Sequence, residues 1–407
     1  MNTSTKKSIF TSDTGKSYIF PFILVTSLFL MWGMAHGLLD VLNKHFQVAF
    51  TMSKAQSGLV QFSTYIAYAL ISIPAGIFMK RYGYKKGIIL GLLLYAIGAF
   101  GFVPAAFLHS ANPFLLALFV VACGLCVLET AANPYSTVLG PNESAAQRIN
   151  LSQSFNGLGW VLGPFIGGQL ILGAAEGDTM ALTKPYLILG AGTLVIAILF
   201  FFTKLPNIVE TDDTPVSAAD KAPVKSMWSQ KHFVLAIIAQ FLYCAAQTGI
   251  FSFFINYVME LDDTISKVQA SQFLAFGGML LFMIGRLTGS YIMGKFRPYK
   301  LLAFYALMSA VAMVLVIMQA GKLSLYALYV SFFFMSIMFP TIFALGVSRM
   351  GAYTKKASSY IIMGVAGGAF APMLMGYIGE QVMAIGFIVP LVCFLFILFY
   401  GLKGYKM

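Results

Sequence analysis

The chain has 407 residues, of which 59% are hydrophobic and only 10% are charged, and its formal net charge is +12. Soluble domains carry roughly 25% charged residues, so this chain has too few charges to cover a water-facing surface of its size. The composition excludes a soluble protein and predicts an all-α, polytopic membrane protein.

The apolar runs, taken in chain order, predict twelve transmembrane helices, because a bilayer core requires about 20 apolar residues per helix. The runs fall near residues 18–41, 56–79, 87–108, 113–139, 149–173, 186–203, 232–258, 270–293, 301–319, 324–347, 358–379 and 382–402. The first run is longer than a signal-peptide core and no small-residue cleavage site follows it, so we expect it to remain as a span.

Lysine and arginine are unevenly distributed between the two sides of this topology. With the N-terminus inside, 20 of the 26 basic residues fall in cytoplasmic segments, 5 fall in outer segments, and Arg286 remains near a helix end. Cytoplasmic loops retain positive charge during insertion, so we expect both termini in the cytoplasm and the chain in the inner membrane. The same asymmetry, with contact to anionic lipid, accounts for the net charge without a nucleic-acid partner.

One polar stretch, residues 206–231, separates two groups of six spans. It predicts an N-terminal half at 1–205, a cytoplasmic linker at 206–231 and a C-terminal half at 232–407. Four residues of the first half recur 206 to 208 positions later in the second: Pro134, Gly140, Pro164 and Gly168 match Pro340, Gly346, Pro372 and Gly376. Two parallel six-helix repeats are the architecture of secondary transporters that bind solute near the midplane between the halves.

Two carboxylates lie inside the predicted spans, Asp40 and Glu129. A charge at the bilayer centre costs about 2.5–3.5 kcal/mol on insertion scales, so such a residue usually faces a cavity and has a function. A carboxyl can avoid this cost by protonation, and one that binds and releases a proton as the cavity opens to either side is what proton coupling requires. The alternative for Asp40 is a wet position at the outer end of its helix.

Polar side chains accompany these acids at helical spacing, where residues three or four apart share a face. They are His36 with Asp40, Asn133 with Glu129, Gln153 with Asn156, and Gln240 with Gln247 two turns away. A lining of neutral donors and acceptors suits a sugar. His36 could relay protons or tune its neighbour. The alternative for each amide is a hydrogen bond between helices. We interpret the four cysteines, all within apolar runs, as packing residues.

The turn after the second span contains a Gly-then-basic pattern that resembles the cytoplasmic signature of the major facilitator superfamily. It includes Gly76, Arg81 and Gly83, and we assign these with Arg286 to a conformational motif. Lys80 stands where the signature usually has an acid, so the sequence does not predict a locking charge pair there.

The chain also resembles one family closely over nearly its whole length: the fucose, galactose and glucose proton symporters of that superfamily. The resemblance lies in LETAANP at 128–134, VLGP at 138–141, the Gln153 to Asn156 cluster, AQT at 246–248, IGR with a following TG at 284–289, and PTIF with a following LG at 340–346. It implies that Asp40 and Glu129 serve proton coupling, with Glu129 also near the sugar, and that Gln153 and Asn156 contact the sugar.

Two positions depart from the family's fucose-transporting members, which have an asparagine where this chain has Gly37 and a tyrosine where it has Phe339. Each change removes a hydrogen-bonding group from a pocket position, so we expect a substrate other than fucose itself. A neutral hexose or deoxyhexose is favoured, and the nearby His36 leaves an acidic sugar such as a uronate open.

These features predict a secondary transporter that imports a sugar with protons, by alternating access, as a monomer without a cofactor or a bound metal. The alternatives are sodium-coupled uptake and multidrug efflux, because a fold fixes neither direction nor ion. An enzyme is excluded because the four histidines are scattered and neither HExxH nor GxSxG occurs.

Overall fold

The computed structural model describes residue 10 and residues 17–141, 145–175, 177–203, 226–293, 296–350 and 353–407. Among them are twelve helices long and apolar enough to cross a membrane, as predicted. Spans 1 to 12 are Ile19–Ala49, Lys54–Tyr82, Tyr84–Phe107, Ala111–Asn133, Leu151–Leu172, Thr179–Phe202, Lys231–Leu261, Lys267–Met293, Pro298–Ile317, Lys322–Val347, Ser359–Ile378 and Met383–Leu402. Residues 204–225, most of the predicted linker, lie outside the described residues, so the domain boundaries stay a prediction.

Spans 1 and 7 are longer than their apolar runs. Span 1 continues two turns past residue 41 to Ala49, and span 7 reaches Leu261. The added turns contain polar side chains such as Gln47 of span 1 and Glu260 of span 7, which a hydropathy scan leaves out. They are helical because their polar groups bond to one another between spans. Glu260 therefore lies in the last turn of span 7, which corrects the prediction that the helices hold only two carboxylates.

Spans 1 and 5 cross at glycines spaced four apart on both helices. A Cβ on Gly37 would lie 2.8 Å from Cδ of Pro164, and a Cβ on Gly163 would lie 2.7 Å from Cα of Gly37. Gly33 and Gly159 meet one turn away in the same manner. Lipid supplies no hydrophobic drive between helices, so close backbone contact at small residues stabilises such a crossing. This crossing fixes the face of span 1 that carries His36 and Asp40.

Span 10 is broken near Ser336, between two helical segments. Pro340 has no N–H to donate to the Ser336 carbonyl four residues earlier. Arg286 donates from Nε to that carbonyl over 3.4 Å, and the Tyr243 hydroxyl donates to the neighbouring Met335 carbonyl over 3.1 Å. Irregular backbone at membrane depth is tolerated where protein groups satisfy it. Spans 7 and 8 thus support the break in span 10.

The two halves are joined at the end predicted to face outward, called here the outer end. Lys54 of span 2 lies 2.5 Å from the Glu260 carboxylate of span 7 and donates to the Gly379 carbonyl over 2.9 Å. Glu380 accepts from the backbone N–H of Lys54 over 3.2 Å. Lys54 therefore connects the start of span 2 to the end of span 7 and to the segment between spans 11 and 12.

A set of buried and half-buried polar side chains continues this connection inward, and we call Asn43, Gln47, Ser57 and Asn256 the outer network. Gln47 of span 1 and Asn256 of span 7 exchange two hydrogen bonds, of 2.7 and 3.3 Å. Gln47 also donates to Asn43 and Ser57, each over 3.0 Å. These bonds cross the boundary between the halves and close the outer end in this structure.

Candidate functional site

Asp40 lies inside the protein, nine residues before the end of span 1, and its side chain is 3% exposed. The alternative of a wet residue at the outer end of the helix is therefore wrong. Its Oδ2 atom is buried and has no hydrogen-bond partner among the described residues. A carboxyl in this position either carries a proton or lacks a hydrogen-bond partner that it needs.

Glu129 lies on span 4, half-buried, with the hydroxyl of Tyr68 beside its carboxyl. Tyr65 of span 2 interacts electrostatically with both Glu129 and Asp40, so it lies near both acids. Cys244 of span 7 is also within range of Glu129. The structure thus brings both predicted coupling residues to one region, next to the boundary between the halves.

His36 is surrounded by aromatic rings, and we call Trp32, Tyr65, Tyr68 and Trp160 the aromatic cluster. Their ring centroids lie 5.5 to 6.2 Å from the imidazole. The Nδ1 atom is 3.1 Å from the Trp32 carbonyl oxygen. A carbonyl only accepts, so Nδ1 carries the hydrogen and the neutral ring offers Nε2 as an acceptor. His36 is therefore placed as an oriented hydrogen-bonding residue.

Several buried polar atoms in this part of the protein have no partner among the described residues. They are Asp40 Oδ2 and Gln240 Oε1, together with the Trp32 indole Nε1 and the Tyr68 hydroxyl, which lie close to each other and to the Glu129 carboxyl without a hydrogen bond of ordinary geometry. A buried donor or acceptor left unsatisfied costs about 1–3 kcal/mol. Native proteins tolerate such groups mainly at functional sites or where water or a ligand binds. These atoms lie near aromatic rings, and a ligand with hydroxyl groups could form hydrogen bonds with them.

Two of the predicted amides form a chain next to Glu129. Gln153 of span 5 donates to Asn133 Oδ1 over 3.2 Å, and Asn133 donates to the Glu129 backbone carbonyl over 3.2 Å. Both amides are half-buried. The structure therefore brings Glu129, Asn133 and Gln153 together, as their spacing suggested.

Asn156 and Gln247 are not brought into this group by any hydrogen bond. Asn156 is 2% exposed and donates to the Phe29 backbone carbonyl of span 1 over 3.2 Å. In this conformation it connects helices, which is the alternative considered for each amide. Gln247 is half-buried on span 7 and makes no side-chain hydrogen bond to a described residue. Their predicted contacts with sugar stay predictions.

The C-terminal half contributes span 7 and span 11 to the site. Gln240 is fully buried, with its amide nitrogen 4.0 Å from Cys244 Sγ. A Cβ on Gly368 of span 11 would lie 2.7 Å from the Thr248 hydroxyl and 3.1 Å from the Tyr65 ring. Tyr65, Thr248 and Gly368 therefore meet where the halves face each other.

The two departures from the fucose-transporting pattern occupy different surroundings. Gly37 lies in the tight crossing with Pro164, so an asparagine does not fit there in this packing. Phe339 is half-buried beside the break in span 10, and its ring meets Tyr243 at 6.1 Å. Phe339 thus gives this side of span 10 an apolar surface without a hydroxyl.

The residues assigned to the conformational motif lie in two separate parts of the protein. Gly83 has a positive φ of 84° between spans 2 and 3, where glycine is favoured, and Arg81 lies 5.3 Å over the Tyr82 ring. Gly76 has open space around its Cβ position. In the same turn, Lys85 donates to the carbonyl of Thr203 at the end of span 6.

Arg286 does not belong to that turn or to a helix end. It lies seven residues before the end of span 8, with its guanidinium 4.9 Å over the Phe282 ring and Nε on the Ser336 carbonyl. The count of basic residues on the two sides had left Arg286 over as a residue near a helix end, although the predicted run 270–293 already contained it. Its observed surroundings give it a role inside the membrane, at the break in span 10.

Sequence reasoning missed the aromatic cluster around His36. Trp32, Tyr65, Tyr68 and Trp160 were treated as part of the apolar background of their spans. The available signal was that Trp32 lies one turn before His36, and Tyr65 and Tyr68 three apart, so each set shares a helix face.

Comparison with known proteins gives matches over nearly the whole chain. A family model described as Major Facilitator Superfamily matches residues 21–372. The L-fucose-proton symporter of Escherichia coli (strain K12) is 38% identical over 402 residues, covering 93% of this chain and 92% of that protein. The glucose/galactose transporter of Brucella abortus is 37% identical, with 97% and 96% covered. A crystal structure of the transporter FucP in the outward conformation is 37% identical, with a TM-score of 0.69 and 95% and 99% covered.

The twelve spans and the buried polar site define a multi-pass membrane transporter rather than an enzyme. The chain belongs to the major facilitator superfamily, and its curated relatives are sugar transporters and sugar-proton symporters.

Proposed function

We propose that this protein imports a neutral hexose or deoxyhexose together with protons across the inner membrane. The observation that carries the proposal is the position of Asp40 and Glu129 beside the aromatic cluster, where buried donors and acceptors lack partners. Sugars present hydroxyls to polar groups and C–H faces to aromatic rings. The relatives named as fucose-proton and glucose/galactose transporters support the same substrate class.

The proposed cycle uses the carboxyls as proton carriers and requires no cofactor. In the outward-open state Asp40 and Glu129 bind protons, and a sugar then bonds to the Trp32 indole, the Tyr68 hydroxyl and the amides near Glu129. The neutral, occupied site allows the halves to close at the outer end and open towards the cytoplasm. Release of sugar and protons there lets the empty protein return. Both termini are proposed to be cytoplasmic, and a single chain is proposed to form the whole path.

A neutral substrate is preferred over a uronate because the nearby cations have other roles. Arg286 donates to the Ser336 carbonyl and stacks on Phe282. His36 is enclosed by aromatic rings, a surrounding that favours its uncharged form. An efflux pocket for hydrophobic drugs would not leave an indole N–H, a hydroxyl and a carboxylate oxygen unpaired.

Sugar-induced pH change in membrane vesicles tests the substrate class and the coupling ion together. Vesicles containing the protein receive, in turn, hexoses, deoxyhexoses and uronates, with and without sodium. The proposal expects transient alkalinisation of the medium with a neutral sugar, independent of sodium and abolished by a protonophore. Sodium-dependent uptake without a pH change would exclude proton coupling. A response to uronates alone would exclude the neutral substrate.

A further inference from the structure

A groove of about 470 Å³ opens on the outside of the C-terminal half, between spans 8, 9 and 10. Its walls include Ile292, Phe296, Phe304, Phe333 and Phe334, and Lys300 lies at the end predicted to be cytoplasmic. The groove is separate from the site near Asp40, which lies in spans 1, 2, 4, 5 and 7.

The groove faces lipid rather than the protein interior. Phe296 is 62% exposed and Phe304 is 51% exposed. Phe304 meets Phe334 at 5.9 Å, and Phe334 meets Phe333 at 5.3 Å, so three rings form a continuous wall. In a membrane, an apolar channel of this kind at the protein surface accepts hydrocarbon, not water.

Basic residues surround the cytoplasmic mouth of the groove. The Lys300 side chain makes no hydrogen bond or ion pair with a described residue. Arg297 donates to the Tyr299 hydroxyl over 3.2 Å, Tyr299 stacks on Tyr405 at 4.4 Å, and the Lys406 ammonium lies 5.9 Å from the Tyr299 ring. These contacts hold Arg297 and Lys406 around Tyr299, and Lys300 follows Tyr299 directly in the chain, at the end predicted to face the cytoplasm.

No acidic side chain among the described residues forms an ion pair with this cluster. The described acidic residues lie inside spans or at the outer end: Asp40, Glu129, Asp178, Glu260, Asp262, Asp263 and Glu380. The mouth of the groove therefore has a positive field and an apolar interior beneath it. An anion attached to a hydrocarbon chain is complementary to both.

We propose that the groove is a binding site for one anionic phospholipid, with an acyl chain along Phe304 and Phe334 and the phosphate at Lys300 and Arg297. Phospholipid is the occupant because the site is within the bilayer and combines an acyl-sized apolar channel with interfacial cations. Each basic residue close to the membrane surface strengthens the binding of anionic lipid by about fivefold. Arg297 can donate two parallel hydrogen bonds to a phosphate, and Lys300 supplies a compact positive charge.

Quenching by brominated lipid tests this site directly. The variant Phe296→Trp places a fluorophore in the groove wall, and the purified protein is reconstituted with bromine-labelled phosphatidylglycerol or phosphatidylcholine. Its quenching is measured as the difference from the unsubstituted protein. With two basic residues at the phosphate, the site predicts that half-quenching needs about 25-fold less of the anionic lipid. Adding Lys300→Gln should remove most of that preference.

The matched controls separate a specific site from the general lipid annulus. Ile97→Trp, on span 3, is equally exposed at 62% and lies away from these cations, so it should show no headgroup preference. Lys231→Gln, a cytoplasmic lysine on span 7, should leave the preference at position 296 unchanged. Equal quenching by both lipids at position 296, or the same preference at position 97, would mean annular lipid only and would overturn the proposal.

Discussion

Asp40 combines near-complete burial with an oxygen that no described residue satisfies. Asp40→Asn keeps the shape and polarity of a neutral carboxyl but cannot carry a proton. We expect this variant to lose accumulation of sugar against a gradient by tenfold or more, with normal amounts of protein in the membrane. Uptake of labelled sugar by energised cells measures the loss.

Asp262→Asn is the control for that experiment, because Asp262 is an exposed acid at the outer end. It should accumulate sugar like the unsubstituted protein. If Asp40→Asn also accumulates sugar normally, then the carboxyl at position 40 has a structural role and proton coupling resides elsewhere.

The Trp32 indole N–H is a buried donor that we expect the substrate to satisfy. Trp32→Phe keeps a ring beside His36 and removes only that donor. One hydrogen bond contributes about 0.5–1.5 kcal/mol, so sugar affinity should fall by roughly two- to tenfold. Substrate protection in a thermal unfolding assay measures the affinity. Trp228→Phe, at an exposed cytoplasmic position, should not change it, and an unaltered affinity in Trp32→Phe would remove the indole from the site.

At the residue scale, the sequence predicted the polar members of the site better than the aromatic ones. Asp40 and Glu129 stand out because charge is rare in the spans. Trp32 and Tyr68 do not, because aromatic residues make up 15% of the chain and most of them pack. Asn156 shows where spacing alone is insufficient. Its spacing from Gln153 predicts a pocket residue, but span 1 lies so close that the Asn156 amide donates to a backbone carbonyl of that span.

The crossing of spans 1 and 5 depends on glycine at the contact. Gly163→Ala places a Cβ 2.7 Å from Gly37 Cα, so the helices must separate. Overpacking of this kind costs about 1–3 kcal/mol. We expect a lower midpoint of thermal unfolding in detergent.

Gly76→Ala is the matched control, since its Cβ would meet no atom within 4 Å. It should unfold like the unsubstituted protein. Equal stability of the two alanine variants would show that the crossing is looser than the structure indicates.

At the element scale, the number of spans follows from hydropathy, but their ends and irregularities do not. Span 1 extends to Ala49 because Gln47 and Asn256 satisfy each other across the halves, a contact that no local pattern reveals. Pro340 was recognised as part of a repeat. Pro340 leaves the Ser336 carbonyl without its usual helical donor. That Arg286 of span 8 supplies a donor instead depends on which helix lies opposite, and the sequence does not show this.

The outer end connects the halves through few residues, so a single change should alter the balance between outward and inward states. Glu260→Gln removes the charge facing Lys54 while keeping an acceptor. We expect the outer end to open more often, with faster labelling by an impermeant maleimide of a cysteine placed at Gln61, beneath the outer network. The same variant without the new cysteine gives the background labelling. The reference rate is that of the cysteine at position 61 with Glu260 unchanged.

Asp263→Asn, at a nearby exposed acid, is the control and should leave the labelling rate unchanged. If Glu260→Gln also leaves it unchanged, the ion pair does not hold the outer end closed.

For the whole molecule, two six-helix halves and a central site could be predicted, and the conformation could not. The repeated prolines and the long polar stretch indicate two halves, but the sequence is the same in every state of the cycle. The FucP structure, 37% identical, is described as outward. In the present structure the ends of spans 1, 2 and 7 that are predicted to face outward are bonded to one another.

The central claim is that a buried carboxyl couples sugar movement to protons, and Glu129→Gln tests it most directly. Glutamine keeps the size and polarity of the side chain next to Tyr68 but cannot release a proton. The account predicts that labelled sugar still exchanges across the membrane in counterflow, while accumulation driven by a proton gradient is abolished. Uphill accumulation equal to that of the unsubstituted protein would contradict it.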